Sequence, residues 1–114
     1  MTMLQILKVI AAIGTIATGL ISLIRPQSVT GFTGLIPKGP RGITEIRAVL
    51  GAFFIGMGAA PLILNAPAAY RTLGISYLLV AVVRTASMII DKSVERSNII
   101  SVVVEVIFGV ILVL

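Results

Sequence analysis

Cysteine, histidine and tryptophan are absent from this 114-residue chain, and charge is scarce: nine Lys and Arg and four Asp and Glu make up 11% of it. Without cysteine the chain forms no disulfide and does no thiol redox chemistry. Without histidine it holds no His-ligated haem or zinc and has no imidazole for acid/base catalysis. A soluble domain carries about 25% charged residues to cover its surface. That shortage excludes an ordinary water-soluble globule, a disordered chain and a nucleic-acid binder.

What is present is apolar. Hydrophobic residues make up 58% of the chain and the mean hydropathy is +1.16. They fall in four long runs, as a bilayer protein requires. The net charge is +5 and the pI about 10.5. The Lys and Arg residues cluster between the apolar runs, a placement that follows the positive-inside rule rather than a nucleic-acid footprint.

A membrane helix needs about 20 mostly apolar residues to cross a hydrocarbon core of about 30 Å. The expected spans are 4–24, 43–64, 70–90 and 98–114, forming one domain over residues 1–114. Arg25-Pro26 ends the first, Asn65-Ala66-Pro67 the second and Asp91-Lys92 the third. The first run lacks a clear A-x-A cleavage site and reads as a retained span rather than a signal peptide. An open sheet edge does not survive in lipid. The expected fold is therefore all-α, an antiparallel four-transmembrane-helix bundle of a polytopic membrane protein.

Arg25, Lys38 and Arg41 lie in the first loop and Lys92 and Arg96 in the third, against Arg71 and Lys8 on the other side. This balance places both longer loops in the cytoplasm and both termini outside. The first loop, Arg25 to Gly42, mixes Gly31, Gly34, Gly39, Gly42, Pro26, Pro37 and Pro40 with Phe32, Leu35 and Ile36. It reads as an interfacial loop, with Lys38 and Arg41 as candidate contacts to lipid phosphate. No Walker-type phosphate loop is present.

Four charges fall within or beside the spans: Glu45, Arg47, Arg84 and Glu105. A charge at mid-helix costs about 2.5 to 3.5 kcal/mol on insertion scales, so Arg84 needs a partner. In an antiparallel hairpin Arg84 and Glu105 sit at matching depth, about 10 Å inside the cytoplasmic end at 1.5 Å per residue. Glu45 continues a row of small residues, Ala48, Ala52, Gly56 and Ala60, which lets helix backbones approach. It is therefore expected to point inward toward Arg84. Arg47 lies on another face with Gly51, Phe54 and Gly58, within reach of Glu105 or a headgroup phosphate. The four are expected to form one buried network, with Tyr77, Ala48, Ala52, Gly56 and Ser101 lining a pocket. Pro61 removes a backbone hydrogen bond from the second helix.

The string Glu45-Ile46-Arg47-Ala48-Val49-Leu50-Gly51 resembles the E-x-R-A-x-x-G signature of a family of small bacterial four-helix membrane proteins of unknown function, DoxX-like in organisation. The resemblance extends to the arginine of the third helix, Arg84, and the glutamate of the fourth, Glu105. Leu50 stands where that family has an aromatic, and Ala52 where a second glycine is frequent. The resemblance implies a four-helix bundle in a bacterial inner membrane and an accessory role in a membrane complex, with no catalytic site transferred.

Three functions compete on these residues. The first is a non-catalytic subunit or homo-oligomer that binds lipid or a membrane partner. The second is a proton-coupled transporter or channel for a small solute, because burial favours the protonated form of a carboxyl group. The third is an intramembrane enzyme acting on a quinone, sterol or lipid. No catalytic residue, metal site or cofactor is assigned.

Overall fold

In a computed structural model that describes residues 1–114, the chain is all-α, with no strand. Four long helices carry the fold: α1 (Met3–Ile24), α3 (Gly39–Leu64), α4 (Pro67–Ile90) and α5 (Arg96–Val113). A short α2 (Val29–Thr33) follows α1. Each long helix is apolar enough to cross a membrane, with mean hydropathy from 1.8 to 2.0. Their outer faces are apolar too: Ile63 is 79% exposed and Ile90 76%. In water such faces would aggregate; in a bilayer acyl chains cover them. This is a multi-pass membrane protein.

Two helices begin before their apolar runs. Pro40 stands in the first turn of α3 and Pro67 at the first turn of α4. A proline there supplies a fixed φ and lacks an N–H that would have no partner anyway. The first loop is also more ordered than its composition suggests. A 3-10 turn, Pro26–Ser28, leads into α2, and Pro26 and Val29 are buried. Gly34 ends α2 at φ 75 and donates its N–H to the Thr30 carbonyl, a left-handed cap that glycine adopts without strain. Phe32, Leu35 and Ile36 stay exposed on the loop surface.

The chain has two compact units, Val9–Asn65 and Ala66–Leu114 with Met1–Lys8. Within the first, α1 and α3 pack antiparallel through glycines. A methyl group added at Gly19 would stand 2.7 Å from the Gly51 carbonyl oxygen, and one at Gly58 2.7 Å from the Ala12 carbonyl oxygen. Backbone therefore touches backbone, as small residues permit in membranes. The buried α1 face is built of small residues, Ala11, Ala12, Thr15, Gly19 and Ser22.

On α3 the packed face differs from the expected one. Gly51 and Gly58 are buried, whereas Ala48, Ala52 and Gly56 are exposed, with nothing within 4 Å of a methyl group on Gly56. The physical reason is contact with α1. Methyl groups on Gly51 and Gly58, seven residues and about two turns apart, would meet Leu23 at 3.1 Å and the Ala12 carbonyl oxygen at 2.7 Å. This glycine face lets the backbones approach, and the alanine row faces away. Residues Ile46–Phe53 are wound as a π-helix.

Within the second unit, α4 and α5 form an antiparallel hairpin. A methyl group on Gly74 would lie 2.8 Å from Leu112 Cβ and 3.0 Å from the Gly109 carbonyl oxygen. Tyr77 and Phe108 meet edge to face, with ring centroids 5.5 Å apart. The turn between the helices closes by two backbone bonds, Asp91 N–H to the Ser87 carbonyl at 2.7 Å and Ser93 N–H to the Met88 carbonyl at 3.0 Å. Lys92 adopts φ 53 between them.

Candidate functional site

The hairpin of α4 and α5 brings together Arg84 and Glu105. Arg84 lies six residues before the end of α4 at Ile90 and Glu105 nine residues after the start of α5 at Arg96. At 1.5 Å per residue these depths are about 9 and 14 Å, a gap that the long arginine side chain spans. Arg84 Nε donates to both Glu105 oxygens, at 2.9 and 3.1 Å, and Nη2 donates to Oε2 at 2.8 Å. Such forked pairing of guanidinium and carboxylate is directional as well as strong. The Glu105 side chain is 10% exposed and that of Arg84 31%.

A third residue completes the arrangement. Arg84 Nη1 donates to Asn98 Oδ1 at 3.1 Å, and Asn98 Nδ2 donates to the Ser93 carbonyl at 2.9 Å. Asn98 thus ties the guanidinium to the turn. Sequence reasoning missed it. The available signal was an amide seven residues before Glu105, two helical turns away on the same side of α5.

Beside this cluster lies an open cleft of about 480 Å³, lined by Leu79, Val80, Val83, Arg84, Ser87, Ser93 and Asn98. The volume lies within the roughly 300–1,000 Å³ range of small-molecule sites. Tyr77 and Ser101, expected to line a pocket, are not among the cleft's lining residues. Tyr77 packs on Phe108, and Ser101 donates back to the Ser97 carbonyl of its own helix. Ala48, Ala52 and Gly56 belong to the other compact unit and are exposed.

Glu45 and Arg47, the other two residues of the expected network, lie in the unit Val9–Asn65. Glu45 is exposed and forms an ion pair with Arg41 of its own helix, one turn earlier. Because α3 starts at Gly39, Arg41 falls at i−4 of Glu45 instead of in a loop, and i, i+4 pairs meet on a helix surface. Arg47 is exposed and makes no ion pair, and Lys38 is exposed at the start of α3. Of these four residues, Arg84 and Glu105 form a buried pair in one unit, and in the other Glu45 pairs with Arg41 while Arg47 makes no ion pair.

No group of three or more Asp and Glu side chains gathers to hold a metal. The site offers hydrogen bonding, charge pairing and apolar contact. The helices and residues that build it lie inside a sequence region matched by a domain of unknown function, DUF4345, which covers residues 3–114. The chain belongs to the DUF4345 family. No curated protein and no solved structure matches it. The DUF4345 description assigns no reaction, so the chemistry is read from the geometry. Two N–H groups of Arg84, one on Nη1 and one on Nη2, remain without a protein acceptor. Arg84 lines the cleft. A bound group with an acceptor oxygen would satisfy them.

Proposed function

We propose that the protein is a non-catalytic membrane subunit, acting as a homo-oligomer or beside a membrane partner, that holds a lipid at the Arg84 cleft. The observation that carries this reading is a guanidinium fixed by Glu105 and Asn98 with two donors left over at an apolar cleft. Fixing a donor in advance lowers the ordering cost of binding. Both Glu105 oxygens already accept from Arg84, and Glu45 pairs with Arg41. Neither carboxylate stands free as a general base or solute ligand, which weighs for binding over proton-coupled transport or intramembrane catalysis. Lys38 and Arg47, exposed and outside any ion pair, are proposed separately as contacts of their own unit with headgroup phosphate of the surrounding bilayer.

The same reading places the chain in a bacterial inner membrane, DoxX-like in organisation, with both termini outside the cytoplasm. Native mass spectrometry of the mildly solubilised protein tests the role. A lipid or partner should stay bound through purification and be lost from the Arg84→Leu/Glu105→Leu double variant. A bare monomer, or identical adducts on both proteins, would sink the proposal.

A further inference from the structure

The polarity of the cleft is graded along its length. Leu79, Val80 and Val83 lie toward the middle of α4; Ser87, Ser93 and Asn98 lie toward the turn; Arg84 stands between them. An elongated ligand with one apolar and one polar end fits that order. The chemistry of its polar end follows from which protein groups remain unused.

Arg84 keeps two N–H groups, and Asn98 keeps one, because its Nδ2 donates only to the Ser93 carbonyl. The Ser93 hydroxyl makes no hydrogen bond within the protein, although its backbone N–H and carbonyl do. Ser87 donates to Asp91 Oδ2 at 2.6 Å. The polar end is therefore rich in donors, and its complement is a group of acceptor oxygens.

Charge narrows the class further. Glu105 neutralises Arg84 at 2.8 Å. The adjoining turn and helix start carry Asp91 and Glu95 against Lys92 and Arg96. Acids and bases balance, so nothing local rewards a net anionic head. The Arg84 backbone also lies about 9 Å inside the helix end, below the level expected for a headgroup phosphate.

We infer that the cleft binds an uncharged lipid whose head presents carbonyl oxygens, of the acylglycerol type. Its ester carbonyls accept from Arg84, Asn98 and Ser93, and one acyl chain runs along Leu79, Val80 and Val83. This rests on the lipid-binding reading above and specifies its ligand.

The test is a titration of the full-length chain in detergent with dioctanoylglycerol and, separately, dioctanoylphosphatidylglycerol, followed by native mass spectrometry. The uncharged lipid should bind about tenfold or more tightly than the anionic one. Val83→Phe should fill the cleft from an exposed position and weaken binding about tenfold while leaving the melting temperature of the free protein unchanged. Ser93→Ala, which removes one donor and no internal side-chain bond, should weaken it by a smaller factor. Tighter binding of the anionic lipid, lost in Val83→Phe, would overturn this inference and leave the lipid-binding reading standing. Binding of either lipid that Val83→Phe leaves intact would put the lipid outside the cleft and overturn both. No binding of either lipid would overturn both.

Discussion

Arg84 and Glu105 join α4 to α5 through three N–H···O contacts of 2.8 to 3.1 Å, and the carboxylate is the more deeply buried partner. That asymmetry sets the outcome of removing either side. Arg84→Ala leaves a buried carboxylate without a cation, which should destabilise by about 3 kcal/mol, the low end of the usual range because Arg84 is 31% exposed. The double change Arg84→Leu with Glu105→Leu removes both charges and should be far milder. Thermal unfolding in detergent measures both. Equal losses for the single and double variants would mean that the pair contributes nothing as a pair.

The parts of this molecule legible in its sequence are those written in long runs or simple spacing. Four apolar runs mark four helices, and the meeting of Arg84 with Glu105 follows from their similar distances to a short turn. Asn98 escaped notice because a single amide near a helix start carries no periodic signal. Glu45 was misplaced for a different reason. Its neighbour Arg41 lay in a Gly/Pro-rich stretch read as loop, and only the helix beginning at Gly39 puts the two one turn apart. Ala48, Ala52 and Gly56 form one row of small residues and Gly51 and Gly58 another, and spacing alone does not say which of the two meets α1.

Close helix contact predicts two opposite glycine phenotypes. Gly74→Val forces a side chain into Leu112 and the Gly109 carbonyl, and overpacking of this kind costs about 1–3 kcal/mol. Gly56→Ala meets open space and exchanges a poor helix former for a good one, a gain of up to about 0.5–1 kcal/mol. Denaturation of the two variants in one detergent gives the comparison. A destabilised Gly56→Ala would show that something covers that face of α3.

Lys92 holds a left-handed conformation, φ 53, between the two backbone bonds that close the turn after α4. An L side chain is strained there and glycine is not. Lys92→Gly should therefore stabilise the protein by about 0.5–1 kcal/mol, read as a raised melting temperature. The exposed lysine makes no ion pair that its loss would sacrifice. A fall in stability would mean that the turn relaxes away from this geometry in the membrane.

The absence of cysteine makes topology directly measurable, since any single introduced thiol is the only one in the chain. The loop after α1 and the turn after α4 carry Arg25, Lys38, Arg41 and Lys92, with Arg96 opening α5, against Arg71 beside the α3–α4 junction. Basic residues are retained on the cytoplasmic side during insertion. Lys38→Cys and Ser97→Cys, at exposed positions, should resist a membrane-impermeant maleimide in intact cells and label after permeabilisation. Asn65→Cys, at the exposed end of α3, should label in intact cells. The reverse pattern would put Arg84 and its cleft in the outer half of the bilayer, so that any lipid held there would be drawn from the opposite leaflet.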